Sequence, residues 1–535
     1  MTDNGAMDGG AIAQAIIDGR TSLGIELGST RIKGVLLDQG CRIIASGGHQ
    51  WENRQVDGVW TYGLDEAWAG VQACFADVTR NVADRYGVRL ETLGALGVSG
   101  MMHGYLVFDA AGDLLVPFRT WRNTMTGQAS AELGELLGVN IPQRWSTAHV
   151  YQAILNGEEH IGRIASLTTL AGTIHEGLTG RRVVGVGEAS GMFPLDAAGR
   201  DFDAARLAQF DERTGGRVPW RLGDILPEVL PAGADAGTLT AAGALLLDPT
   251  GALRPGVPLC PPEGDAGTGM VACNAVRPRT GSVSVGTSVF ALLVTEDEIP
   301  FNPEIDVVAT PDGAPTALVH GVNGAGDLDA WVALFGEFAA LIGAEVSGPD
   351  LYRMLLGSAL TGDADGGGLL AYNYLSGEHV TGFTDGRPLL ARSASAKLTL
   401  ANLFRTHLQA LFGPLRVGYD ELRAGGISVD LLMAHGGVFK TEGPAQRVLA
   451  AALGAPVGVA ASAGEGGAFG MALLAAFCRQ ADGRTLPDFL DAVLGADAVP
   501  VSPDPDDVAG FDAFIARYRA GLPIEAAAVE HLARH

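Results

Sequence analysis

One pattern restricts this chain more than any other, because it occurs twice. Residues 22–47, SLGIELGSTRIKGVLLDQGCRIIASG, read as strand, turn, strand, turn, strand, with Gly28-Ser29-Thr30 as the first turn and Asp38-Gln39-Gly40 as the second. Residues 281–299, GSVSVGTSVFALLVTEDEI, again read as strand, turn, strand, with Gly286-Thr287-Ser288 at the turn. Identity between the stretches is slight, but the architecture is shared. A chain of 535 residues is too long for a single core. The repeat therefore implies an internal duplication, two α/β domains with a ligand between them. The expected organisation is an N-terminal extension over 1–21, a first domain over 22–275, a second over 276–490 and a helical tail over 491–535.

Strands alternate with helices along the chain, as an α/β fold requires. Leu64, Trp68, Val71, Phe75, Val78 and Val82 recur at helical spacing and mark one buried face. GALGVSG follows as a buried strand and GYLVFDAAGDLLVPF as a hairpin. Later, LLMAHGGVFKTEGPAQRVLAAALGAPVGVA reads as strand, glycine turn, helix, strand, with Pro444 suited to a first helical turn. GEGGAFGMALLAAF reads as a Gly/Ala-rich helix that packs closely, and residues 10–19 as a short helix before the first strand. Phe511, Phe514, Ile515 and Tyr518 resume a helical period in the tail.

The net charge of −25 argues against nucleic acid and anionic membranes, which need clustered Lys and Arg. It does not argue against a nucleotide, because Mg²⁺ and backbone N–H groups supply positive field locally. The five cysteines, Cys41, Cys74, Cys260, Cys273 and Cys478, are odd in number and scattered, which points to a reducing compartment and no zinc site. MTDNGAMDGG lacks the basic start of a leader, and no apolar run reaches membrane-spanning length. The expectation is a cytoplasmic protein.

Four stretches carry chemistry. Two are the Gly/Ser/Thr turns, whose N–H and O–H groups suit phosphate oxygens. The third is PPEGDAGTGM, where Asp265 lies among small residues with no Lys or Arg within ten positions on either side. The fourth is Gly436-Gly437 followed by Lys440, where paired glycines let the backbone lie flat against a purine. HGGVFKTEG is not a Walker loop, since Phe439 stands where a glycine must precede the lysine. Each piece alone has a plainer reading: a simple turn, a turn-forming Asp265, a satisfied core His103, a core Trp121, a solvated Lys33.

Together the pieces resemble the FGGY carbohydrate kinases, over roughly residues 22–480. GIELGSTRIKGVLLD is similar to the family's first phosphate motif, GIDxGTTxxKxxLxD, and VSVGTSVFALL to the second. GVSGMMHGYLVFD resembles the GLSGQMHGxxLLD of xylulokinases. GDAGTGM resembles the segment with the catalytic aspartate, and HGGVFKTEGPAQRVLAAALGAPV the adenosine motif. NGAGDLDAWV matches a stretch of the second domain. Departures are Glu26 for the usual Asp, Met101 for Gln, Asn123 for the usual Asp, and Ser376-Gly377-Glu378 without the usual Arg-Thr-Pro.

The resemblance implies a duplicated, actin-like (ribonuclease H-like) ATPase fold with a ligand cleft between its domains, and an ATP- and Mg²⁺-dependent sugar kinase. It assigns Asp265 as general base and, with Glu26, to the metal. Met102, His103, Trp121, Asn123 and Asp265 fall to the sugar. Gly28, Ser29, Thr30, Lys33, Gly286, Thr287, Ser288, Gly436, Gly437, Lys440 and Gln446 fall to ATP. The Met-His pair favours a ketopentose, xylulose first, with another pentulose, a hexulose or a polyol open. The oligomeric state is open too, related kinases often being dimers. Two rivals remain: a non-catalytic ATP or sugar sensor of the same fold, and an actin-like ATPase acting on a protein.

Overall fold

The computed structural model describes residues 9–297, 299, 301–459, 466–495 and 499–533. Residues 1–8 of the extension, Gly464-Glu465 at the head of the Gly/Ala-rich helix, and 496–498 and 534–535 of the tail lie outside the described residues. The chain divides into two compact units. The first comprises Met1–Arg277, Phe301–Thr316 and Glu465–Gly495; the second comprises Pro278–Pro300, Ala317–Gly464 and Ala496–His535. Where the sequence suggested one linear boundary, the units are interleaved: the Gly/Ala-rich helix Gly466–Gln480 belongs with the first.

The first unit is built on a five-stranded sheet in the order Glu263–Gly264, Ala95–Gly100, Ser22–Leu27, Arg31–Leu37, Ile43–Gln50. The last three strands are antiparallel neighbours, while Ser22–Leu27, Ala95–Gly100 and Glu263–Gly264 run parallel. Helix Leu64–Tyr86 buries Val71, Phe75, Val78 and Val82, the face its spacing predicts. Helix Gly466–Gln480 packs so closely that a Cβ on Gly24 would lie 2.3 Å from the carbonyl oxygen of Ala468. That contact explains the small residues of the helix. The expected hairpin after Tyr105 forms only in part. Leu106–Phe108 meets Leu114 through an isolated bridge, and its ladder is with Ser166–Thr168.

The second unit repeats the plan. Its sheet runs Val457–Val459, Leu431–Gly436, Thr280–Val285, Val289–Val294, Pro315–Gly321. Again the central strand has an antiparallel partner on one side and parallel strands on the other. The duplication inferred from the turns is thus a duplication of sheet topology. Among the described residues, no helix is long and apolar enough to cross a membrane.

The tail forms one helix, Pro505–His531, burying Phe511, Phe514, Ile515 and Tyr518. The Asp504 side chain caps it, accepting from the N–H groups of Asp506 and Asp507. Asp507 is buried with Arg405 at 2.5 Å and also accepts from Arg447. Tyr518 bonds Tyr374 at 2.5 Å, tying the tail to the strap that carries Ser376-Gly377-Glu378. Removing one member of a buried ion pair strands its partner. Asp507→Ala should therefore cost about 3–5 kcal/mol, read by chemical denaturation; a loss below about 1 kcal/mol, the range of exposed pairs, would contradict this.

Candidate active site

Register assembles the first-unit site. Leu27 pairs with Gly100, and Gly100 with Gly264, so three parallel strands end at one level. The chain leaves them at Gly28, at Met101-Met102-His103 and at Asp265. Ligands of parallel α/β sheets gather at such carboxyl ends.

Asp265 is not on a loop, as its glycine neighbours suggested, but opens helix Asp265–Ala272 with Gly264 as N-cap. Its Oδ1 accepts from the N–H of Met102 at 3.2 Å and of Ala266 at 3.0 Å. Burial raises its pKa above the usual 3.8, against those two hydrogen bonds. A Cβ on Gly264 would lie 2.1 Å from Met102 Cγ and 2.5 Å from Glu188 Oε2, so no larger residue fits there.

His103 adopts φ +70 and is buried. Its Nδ1 lies 3.0 Å from the Gly191 carbonyl, which only accepts, so Nδ1 carries the proton and Nε2 is left as an acceptor. Burial, with Arg144 nearby, pushes the ring's pKa down to about 3, so it is neutral at physiological pH. Trp121 is 39% exposed. Asn123 is buried, and its amide is engaged on protein groups: Oδ1 accepts from Trp60 N–H at 2.9 Å, and Nδ2 donates to the carbonyls of Trp60 and Thr120 at 2.8 and 3.0 Å.

Glu26 lies on the first strand opposite Lys33. Its Oε2 accepts from Ala468 N–H at 3.2 Å, in the first turn of the Gly/Ala-rich helix. Burial and the nearby Asp265 charge raise its pKa to about 7, with Lys33 opposing. Two further buried carboxyls adjoin the site. Glu263 accepts from the N–H groups of Gly187 and Glu188, and burial raises it to about 8. Glu188 is fully buried with neither oxygen in a hydrogen bond of ordinary geometry. Burial holds it well above 4.5, with Glu263 and Asp265 adding to the effect and the Thr169 hydroxyl opposing it. Sequence reasoning passed over both. Glu263 stands two residues before Asp265, and Glu188 in VGEASGM has the same setting of a carboxylate among small residues.

Both phosphate-type turns are held by their carbonyls. Gly28 O accepts from the Trp51 indole at 2.7 Å, Ser29 O from the Tyr62 hydroxyl at 2.6 Å and Thr30 O from Trp51 N–H at 3.2 Å. The N–H groups of Ser29 and Thr30 have no partner among the described residues. In the second unit, Gly286 O and Thr287 O accept from Ala325 and Gly324 N–H at 3.0 and 2.8 Å. Asn323, just before them, is bonded by Glu378 and by the Ser376 N–H. Ser288 is half-buried and Thr287 exposed.

Val285 pairs with Gly436, so this turn and the Gly436-Gly437 turn also leave adjacent parallel strands. Gly436 has φ +116, and a Cβ there would lie 2.0 Å from Val285 O. Gly437 is exposed, with open space where a Cβ would stand, and Lys440 is exposed. Gln446 is buried, and its Oε1 accepts from Gly443 N–H at 3.0 Å, closing the start of helix Pro444–Leu453. Its carboxamide oxygen serves the fold.

Solved structures share this architecture. A xylulose kinase from Brucella ovis superposes with TM-score 0.77 at 20% identity, covering 95% of this chain and 100% of that one. A xylulose kinase from Rhodospirillum rubrum gives 0.76 at 20%, covering 96% and 99%. A gluconate kinase from Lactobacillus acidophilus gives 0.76 at 16%, covering 96% and 98%. At these identities the likeness shows the fold, the two-domain α/β actin-like ATPase fold. No curated protein matches the chain in sequence. Residues 21–271 match the N-terminal domain of the FGGY family of carbohydrate kinases and residues 281–478 its C-terminal domain. The chain belongs to the FGGY family of carbohydrate kinases.

Proposed function

We propose that the protein transfers the γ-phosphoryl group of ATP to a hydroxyl of a neutral ketose of the xylulose type, with Asp265 as general base. The observation that carries this reading is the setting of Asp265. One oxygen is fixed by two backbone N–H groups, while Oδ2 has no protein partner among the described residues. Its raised pKa brings it nearer to the strength a base needs at neutral pH. The hydroxyl oxygen bonds to phosphorus as the bond from phosphorus to the ADP oxygen breaks, and the hydroxyl proton passes to Oδ2.

His103 supports a hydroxylated, uncharged acceptor, because its Nε2 can accept a hydrogen bond from a hydroxyl and a neutral ring gives no pull on an anion. An anionic sugar would meet like charge at Asp265. The turns at Ser29-Thr30 and Thr287-Ser288 each present donors for phosphate oxygens, and Gly437 offers a flat platform for a purine.

FGGY kinases generally use Mg²⁺. Glu26 and Asp265 offer hard carboxylate oxygens, and burial, with the charge of Asp265 adding to it, raises the Glu26 pKa. Among the described residues no group of three or more His, Cys, Asp and Glu is placed to hold a metal. The pair thus fits a hard cation held mostly through water and phosphate oxygens rather than by a protein cage. When bound, such a cation neutralises phosphate charge.

Asp265→Asn keeps the size and loses the base. It should lower kcat by about 10²–10⁴-fold while sugar and ATP binding, followed by calorimetry, stay within about twofold. Near-normal kcat would remove Asp265 from the reaction.

The buried carboxyls make a separate, pH-dependent prediction. Glu188 binds its proton more tightly folded than unfolded, so its own contribution to stability is full below pH 4.5 and is lost as pH rises through the window up to its folded pKa. Glu188→Gln cannot ionise and avoids that loss, worth up to about 1.4 kcal/mol per pH unit. In the ligand-free protein the variant's Tm should exceed that of the parent at pH 8, and the gap should shrink towards pH 5. A gap independent of pH would show that Glu188 is charged in the folded state.

A further inference from the structure

Between the candidate sugar loop and the first phosphate turn runs a short chain of direct contacts, all inside the first unit. Strand Val59–Thr61 pairs on one side with Arg54–Val56. On its other side the Asn123 amide acts as a third strand would: Oδ1 takes the Trp60 N–H and Nδ2 gives to the Trp60 carbonyl. Thr120 N–H adds a bond to that carbonyl at 3.2 Å, and the Arg122 guanidinium stacks 3.9 Å over the Trp60 ring. Two residues on, the Tyr62 hydroxyl donates to Ser29 O at 2.6 Å. Tyr62 stacks on Trp51 at 4.2 Å, and Trp51 holds Gly28 O and Thr30 O. Every carbonyl of the turn Gly28-Ser29-Thr30 is therefore fixed by this aromatic pair.

We propose that Asn123 and Tyr62 are positioning residues for the phosphate turn, linking the Trp121–Asn123 loop, through Trp60, to the donors that receive ATP. The inference rests on the kinase reading above and reassigns Asn123 from sugar contact to support of the turn. It also accounts for an amide where the family commonly has a carboxylate. Holding both the N–H and the C=O of one residue takes one acceptor and one donor, which Asn has and Asp lacks. With Asp at 123, a carboxylate oxygen would face the carbonyls of Trp60 and Thr120. Movement of the sugar loop would then be felt at Ser29, so that phosphate is held best when the loop is settled.

The test uses the full-length protein with Asn123→Asp, Tyr62→Phe and the double variant. ATP and sugar binding are measured by calorimetry, KM and kcat by ADP release, and folding by Tm. Tyr62→Phe loses one oxygen and keeps the stack, so it serves as the variant that folds if Asn123→Asp does not. Each single change should weaken ATP binding by about five- to tenfold, the loss of one or two hydrogen bonds, with sugar binding within about twofold. The double variant should lie near the worse single variant, since both act through one turn; independent effects would multiply. The inference is overturned if Asn123→Asp weakens sugar alone, if Tyr62→Phe leaves ATP binding unmoved, or if the two effects multiply. A parent protein that binds no ATP would instead overturn the kinase reading and this inference with it.

Discussion

The alignment of three parallel strands, Ser22–Leu27, Ala95–Gly100 and Glu263–Gly264, is what the first-unit site depends on. Backbone hydrogen bonding brings their carboxyl ends to one level. Residues distant in sequence, Glu26, Met102 and Asp265, then meet without any of them choosing its place. Side chains alternate faces along a strand, so a slip of one residue in the first strand would carry Glu26 to the opposite face. The second unit uses the same device, with Val285 and Gly436 in register placing its two glycine turns side by side. One sheet plan, duplicated, thus supplies two sets of turns, and the chemistry differs only in what each turn carries.

The site concentrates cost. Asp265, Glu26, Glu188 and Glu263 all have raised pKa values, chiefly from burial. A protein selected only for stability would not keep two buried and two half-buried carboxyls in one region. In the proposed function, the partial withdrawal of Asp265 from water strengthens it as a base, and excluding water from the site keeps water from taking the phosphoryl group. In the proposed function, the free N–H groups of the Ser29-Thr30 turn add positive field from the backbone, so a net charge of −25 is no bar to a polyphosphate.

Much of this was legible in the sequence, and for a physical reason. The strand–turn–strand repeat is local, so the duplication and both Gly/Ser/Thr turns could be read from neighbours in the chain. Asp265 was legible because no base stood near enough to pair with it. What escaped was non-local. Asn123 and Trp60 are 63 positions apart, and only the folded chain shows that the amide clamps a backbone. Gln446 caps its own helix, a role hidden inside a motif that carried another expectation. Glu188 and Glu263 looked like ordinary carboxylates until the sheet buried them. The interleaving of the two compact units was non-local too, since helix Gly466–Gln480 returns to pack on the first strand.

In the function proposed here, the strand ends of the first unit form a kinase site for a neutral sugar. The most direct measurement is ADP release by the purified protein with ATP and Mg²⁺, over a panel of ketopentoses, ketohexoses, glycerol, gluconate and no acceptor. Turnover should depend on a neutral ketose, be weak with gluconate and fall to background without acceptor. Saturable sugar binding with no turnover on any acceptor, or ADP release indifferent to sugar, would contradict it.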